Sequence, residues 1–104
     1  MSLPPLIENN RLMLQQLCAS YRVRRLDLFG SALGGRFDPE TSDFDFLVEF
    51  QDLDLSQYAD AYFGLLEALQ DLFGRPVDLV MLSAVKNPYF LQEIERTRTM
   101  LYAA

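Results

Sequence analysis

The chain has 104 residues, half of them hydrophobic, and a formal net charge of −6. This length and composition predict one folded domain rather than a disordered chain. We do not expect general nucleic-acid binding, because basic residues that neutralise phosphates supply most of that affinity. The chain contains no histidine, which excludes catalytic sites of the Ser-His-Asp and Cys-His kinds.

Cysteine content and the length of hydrophobic runs restrict the class of protein further. Cys18 is the only cysteine, which excludes an internal disulfide and a cysteine-based zinc site. We recognise no signal peptide and no apolar run long enough to cross a membrane. The sequence therefore predicts a cytoplasmic protein that does not associate with membranes.

The first part of the chain predicts a helix and then a strand. Hydrophobic residues recur at helical spacing from Leu6 to about Tyr21. The apolar run Leu26–Phe29 predicts a short strand, which Gly30-Ser31 ends. The arginines within 22–25 favour either the solvated start of this strand or contact with a phosphate or an acidic partner.

A short helix and a second strand are expected next. Ala32-Leu33 predicts a single helical turn, and residues 36–41 predict a polar loop. Aromatic and acidic residues then alternate over Phe44–Phe50, which is the period of two that indicates a half-buried strand. We expect the aromatic side of this strand to be buried and the other side to carry acidic residues near its start.

The remaining residues predict helix, strand and helix. A long helix is expected from about Asp54 to Leu72, and a third strand from Val77 to about Leu82. Asn87-Pro88 predicts the start of a last helix, after which residues 99–104 are extended. The order predicts one α/β (α+β) domain, with a small mixed sheet of about three strands flanked by about four helices.

Three acidic residues lie where their carboxylates could act together. Asp43 and Asp45 are two residues apart, so in a strand they point to the same side with Cα atoms roughly 6.5–7 Å apart. Asp78 faces away from the hydrophobic side chains of the third strand, and adjacent strands would bring it next to Asp45. The three could bind two Mg²⁺ or Mn²⁺ ions, with Asp78 as a proton acceptor. The alternatives are a surface loop for the first two and a water-exposed edge strand for Asp78.

Gly30-Ser31 is a candidate phosphate-binding turn. Glycine allows the backbone to approach a phosphate closely, and a helical turn after it directs N–H groups outward. The Ser31 hydroxyl adds one more donor. The alternative is an ordinary connection from strand to helix in which Ser31 caps the helix.

Together, Phe29-Gly30-Ser31, Ser42-Asp43-Phe44-Asp45 and Val77-Asp78-Leu79-Val80 resemble the nucleotidyltransferase domain of the DNA polymerase β superfamily. Within it, the chain is similar to the minimal nucleotidyltransferase (MNT) proteins. The resemblance spans about Arg24 to Leu82. It implies the polymerase β-like nucleotidyltransferase fold and metal-dependent transfer of a nucleoside monophosphate from an NTP, with pyrophosphate leaving.

The resemblance also implies roles for individual residues. It assigns the two metal ions to Asp43 and Asp45, and it assigns Asp78 to sharing one ion and acting as base. It assigns nucleotide binding to Gly30, Ser31, Ser42 and Arg36. The family commonly has Ala-Arg-Gly after Gly-Ser, whereas this chain has Leu33-Gly34-Gly35 followed by a displaced Arg36.

The acceptor follows from the resemblance as well. Many minimal members are antitoxins paired with a HEPN-type ribonuclease toxin, and some transfer AMP from ATP to a tyrosine of that toxin. The leading hypothesis is such an adenylylating antitoxin. The alternatives are a binding-only antitoxin and an enzyme that modifies a small hydroxylated molecule, such as an aminoglycoside, across a homodimer cleft. The sequence leaves open a homodimer or a hetero-oligomer.

Overall fold

The computed structural model describes residues 3–30 and 43–104. Four helices and four strands are formed by these residues: α1 (Pro5–Glu8), α2 (Arg11–Ser20), β1 (Val23–Phe29), β2 (Phe44–Phe50), α3 (Leu55–Phe73), β3 (Val77–Met81), α4 (Pro88–Thr97) and β4 (Thr99–Ala103). A 3₁₀ turn, Leu82–Ala84, follows β3. The helical turn expected at Ala32-Leu33 and the polar loop expected at 36–41 lie outside the described residues.

The strands form one mixed sheet in the order β3-β2-β1-β4. β1 pairs antiparallel with both β2 and β4, whereas β2 and β3 are parallel. The expected small mixed sheet with four helices is confirmed, and the sheet has four strands where about three were predicted. Thr99–Ala103 is extended, as expected, but it also pairs with the edge of β1 that β2 leaves free, because an unpaired central edge would expose its backbone groups.

The amino-terminal helix is interrupted, which corrects the single helix expected from Leu6 to about Tyr21. It forms as α1 and α2, with Asn9 and Asn10 between them. The side chain of Asn10 donates a hydrogen bond of 2.8 Å to the carbonyl oxygen of Leu6. Asparagine competes in this way for backbone partners, which favours breaks and turns over helix interiors.

The main core lies between one face of the sheet and helices α1 to α3. The expected aromatic side of β2 is confirmed, since Phe44, Phe46 and Phe50 are all buried in this core. The ring of Phe73, from α3, packs against Phe44 and Phe46 at centroid distances of 5.2 and 5.9 Å. This packing fixes which side of β2 faces away from the core.

Specific end signals set the bounds of α3 and α4. Asp54 accepts a hydrogen bond from the backbone of Gln57 and forms a capping box with it at the start of α3. Gly74, with φ of 63°, ends that helix, and the chain then turns into β3. Asn87 caps α4 by accepting from the backbone N–H groups of Tyr89 and Phe90.

The opposite face of the sheet is covered in part by α4. Ile94 of α4 is fully buried against Phe29 and Leu47, which form a second, smaller hydrophobic cluster. Acidic side chains of β2 and β3 lie on this same face. None of the described helices combines the length and the apolar character needed to cross a bilayer.

Candidate functional site

Asp45 and Asp78 are direct partners in the parallel pairing of β2 with β3. Their neighbours Phe44, Phe46 and Val77 point into the main core, so both carboxylates lie on the opposite face of the sheet. Asp45 is half-buried and Asp78 is exposed. The expected placement of Asp78 beside Asp45 is confirmed, and one hydrogen bond links the two carboxyl groups.

Asp45 is the member of this pair whose pKa is shifted by its surroundings. The pKa of Asp45 is raised to about 6, first by burial, then by the hydrogen bond to Asp78 and by the negative charges of Asp78 and Asp43. A half-buried carboxyl group with two acidic neighbours is a place where a cation is favourable. Carboxylate oxygens are also the donors that Mg²⁺ and Mn²⁺ prefer.

The pair fits such an ion in charge and in donor chemistry, although it does not by itself complete a site. Across residues 3–30 and 43–104, no group of three or more His, Cys, Asp and Glu side chains is arranged to hold a metal ion. Asp43 is exposed and directly precedes β2, where its charge acts on Asp45.

Gly30 lies against the carboxylate of Asp45. It directly follows β1, where Phe29 is the cross-strand partner of Asp45. A Cβ atom placed on Gly30 would lie 2.5 Å from Oδ2 of Asp45, and the φ of Gly30 is +80°, in the left-handed region. Both observations require glycine at this position, because any side chain would displace the carboxylate and strain the backbone.

A cleft of about 450 Å³ opens beside the two carboxylates, a size usual for sites that bind small molecules. Its wall combines Asp45 and Asp78 with apolar and aromatic side chains: Phe29, Tyr62, Leu66, Val77, Leu79, Val80 and Phe90. The hydroxyl of Tyr62 donates a 2.7 Å hydrogen bond to the carbonyl oxygen of Leu79. The cleft therefore presents negative charge next to an apolar surface.

The structure brings together Gly30, Asp45 and Asp78 among the residues predicted for the site. Ser31, Arg36 and Ser42, predicted to bind the nucleotide, lie outside the described residues.

Two contacts beside the site were not predicted from the sequence. The N–H group of Gly30 donates a 3.1 Å hydrogen bond to the hydroxyl of Thr97, at the end of α4. Fully buried Asp27 accepts hydrogen bonds from Arg25, at 2.9 Å, and from Arg98, at 2.5 Å. An aspartate inside the apolar run Leu26–Phe29 could have indicated the ion pair, because a buried carboxylate needs a partner. Nothing in the sequence indicates the Thr97 contact.

Arg25 pairs with Asp27 of its own chain, a contact that neither interpretation of the arginines within 22–25 included. Arg24 approaches the exposed carboxylate of Asp52 at 3.5 Å. Neither of these two arginines lines the cleft beside Asp45.

Comparisons with known proteins agree with this architecture. The family model described as "Nucleotidyltransferase domain" matches residues 11–101. A Methanocaldococcus jannaschii protein named "Putative protein adenylyltransferase MJ0128" is 41% identical over 75 residues, which are 72% of each chain.

Two solved structures share the fold. One, described as a "putative minimal nucleotidyltransferase", is 27% identical with a TM-score of 0.66, over 95% of this chain and 98% of the other. The other is a chain from the complex of a tri-AMPylated Shewanella oneidensis HEPN toxin with an MNT antitoxin. It is 23% identical with a TM-score of 0.63, over 93% of this chain and 72% of that one, a likeness in fold alone. The chain thus has the polymerase β-like fold, belongs to the nucleotidyltransferase domain family and is a nucleotidyltransferase.

Proposed function

We propose that the chain transfers AMP from ATP to a hydroxyl group of another protein. The observation that carries this proposal is the pairing of Asp45 with Asp78 on adjacent strands, directly beside Gly30. The relative from Methanocaldococcus jannaschii, whose name describes a protein adenylyltransferase, supports the choice of AMP and of a protein acceptor.

In the proposed reaction, the oxygen of the acceptor hydroxyl forms a bond to the α-phosphorus of ATP. The bond from that phosphorus to the bridging oxygen breaks, and pyrophosphate leaves with its electron pair. The hydroxyl proton passes to the carboxylate of Asp78, which is exposed on the edge strand and so is open to an incoming acceptor. Asp45 lies deeper and is the better placed to hold a cation.

Two bound Mg²⁺ or Mn²⁺ ions would neutralise the charge of the triphosphate and of the leaving pyrophosphate. Asp43, Asp45 and Asp78 are the residues proposed to hold them. Gly30, Ser31, Ser42 and Arg36 are proposed to bind the triphosphate, with Gly30 giving close access to the backbone.

The proposed acceptor is a tyrosine of a HEPN-type toxin, so that the chain acts as its antitoxin. The structural neighbour from Shewanella oneidensis is in complex with a HEPN toxin that carries AMP groups, which supports this choice. The net charge of −6 supports it too, because an acidic surface attracts the basic surface of an RNA-cleaving partner.

An adenylylation assay tests the proposal. Purified protein is mixed with α-labelled ATP, Mg²⁺ and a purified HEPN-type toxin. We expect label on that protein with the wild type, and none with Asp45→Asn. Asp71→Asn is the matched control, because Asp71 is exposed on α3 and does not line the cleft.

The other outcomes distinguish the alternatives. A tight complex without label, for both the wild type and Asp45→Asn, would indicate a binding-only antitoxin. Label on an aminoglycoside, but not on the HEPN-type protein, would indicate an enzyme acting on small hydroxylated molecules.

A further inference from the structure

The hydroxyl of Thr97 connects the end of α4 to the turn at Gly30, 67 residues earlier in the chain. It accepts a hydrogen bond of 3.1 Å from the N–H group of Gly30, and it donates one of 2.8 Å to the carbonyl oxygen of Glu93. A hydroxyl can donate and accept at the same time, so one side chain joins the last turn of the helix to the start of the site.

This hydrogen bond holds a peptide on which the site depends. Gly30 lies so close to the carboxylate of Asp45 that a Cβ atom there would be 2.5 Å from Oδ2. Its N–H group already has a partner in Thr97. The hydrogen bond therefore fixes the Gly30 peptide beside the carboxylate of Asp45.

The helix end that carries Thr97 is itself fixed to the sheet. Arg98 is mostly buried and donates to the fully buried carboxylate of Asp27, on β1 three residues before Gly30. It also contacts Glu95 at 3.1 Å and Glu49 at 3.7 Å. With Arg98 held in this way, the Thr97 hydroxyl has little freedom to move relative to β1.

We propose that Thr97 is a positioning residue, which holds Gly30 against the carboxylate of Asp45 through its hydrogen bond to the Gly30 amide and so keeps that carboxylate in place for the nucleotide. This inference rests on the proposed nucleotide site. It adds to that site a residue of α4, beyond the strands that carry the acidic residues.

Three variants test the proposal. Thr97→Val replaces the hydroxyl with a methyl group of similar size, and Thr97→Ser retains the hydroxyl. Thr99→Val is the matched control, since the hydrogen bond that the Thr99 hydroxyl makes among the described residues is to the carbonyl oxygen of Thr97, at 3.4 Å, and not to Gly30. If Thr97→Val does not fold, Thr97→Ala removes the hydroxyl without adding a methyl group.

The first readout is amide hydrogen exchange at Gly30, which needs no ligand. The second is the affinity for a non-hydrolysable ATP analogue with Mg²⁺, measured by calorimetry. We expect Thr97→Val to accelerate Gly30 exchange selectively and to weaken analogue binding about tenfold, the effect of losing one hydrogen bond. Thr97→Ser and Thr99→Val should match the wild type within about twofold, well below that effect.

Unchanged analogue affinity in Thr97→Val would overturn the proposal, and so would an equal loss in Thr97→Ser. Failure of the proposed function looks different. A wild type that binds the analogue but labels no acceptor would contradict AMP transfer alone, while the differences between the Thr97 variants would still decide the role of this residue.

Discussion

Arg98 donates a 2.5 Å hydrogen bond from Nε to Oδ2 of Asp27, across 71 residues of sequence. Asp27 is fully buried, and Arg98 is 14% exposed at its side chain. Burying a carboxylate costs folding free energy unless the carboxylate is paired. The contact with Arg98 therefore favours one position of the end of α4 on β1.

Arg98→Met should therefore destabilise the fold by about 3 kcal/mol, because it leaves the buried carboxylate of Asp27 with Arg25 as its one remaining cation among the described contacts. Urea unfolding at pH 7 measures the change. Arg96→Met is the control, since the ion pair of Arg96 with Glu93 is on the surface and its loss should barely move the midpoint. Equal midpoints for the two variants would contradict a stabilising role for the buried pair.

The stability of the protein should depend on pH through Asp45. Its pKa in the folded state is about 6, above the ordinary value of 3.8. Folding therefore favours the protonated form of the Asp45 carboxyl group. The stability that this group contributes is fully present below about pH 4 and is lost as the pH rises through 6. Asp45→Asn removes this loss, so its thermal midpoint in EDTA should exceed that of the wild type increasingly from pH 4 to 7.

Asp71→Asn serves as the control for that measurement, because exposed Asp71 is not part of the acidic pair. Its difference from the wild type should stay constant over the same pH range. An advantage of Asp45→Asn that stays constant or shrinks as the pH rises would contradict a raised pKa of Asp45.

Gly30→Ala should abolish nucleotide transfer by displacing the carboxylate of Asp45. Gly74→Ala is a matched control, since Gly74 also has a positive φ, of 63°, but a Cβ there would meet no atom within 4 Å. Both variants should lose roughly 1–2 kcal/mol of stability from backbone strain. Gly74→Ala alone should retain transfer in the labelled-ATP assay, and full activity of Gly30→Ala would remove the Gly30–Asp45 contact from the site.

Asp43→Asn should lower transfer at least about a hundredfold, the usual scale for loss of a positioned catalytic group. The thermal midpoint should stay the same or rise, because the negative charge of Asp43 acts unfavourably on Asp45. Exposed Asp60, on α3, gives the control variant Asp60→Asn. Full activity of Asp43→Asn would exclude Asp43 from the metal site.

The parts of the fold that could be predicted from the sequence are those with strong local patterns. The alternation over Phe44–Phe50 predicted β2 and its buried face, and with β3 it predicted the meeting of Asp45 and Asp78. The sheet was predicted one strand short because Thr99–Ala103 is a run of five residues whose role depends on the free edge of β1. Such a partner cannot be read from the run itself.

The contacts of Thr97 with Gly30 and of Arg98 with Asp27 were harder to predict, because each joins residues far apart in the sequence. The Thr97 hydroxyl reaches Gly30 only because the helix ends where it does, and threonine near a helix end has many other uses. Asp27 is different, because a charged residue in an apolar strand demands a partner. The sequence offered Arg25 nearby but gave no reason to choose Arg98.

The two paired carboxylates lie on strands that are held in the sheet to different degrees. Among the described strands, β2 with Asp45 has a neighbour on both sides, whereas β3 with Asp78 has a neighbour on one side. Local unfolding that detaches β3 would separate the pair while the β1–β2 hairpin stays folded. A ligand that contacts both carboxylates opposes that detachment, so occupancy of the cleft and attachment of the edge strand are thermodynamically linked.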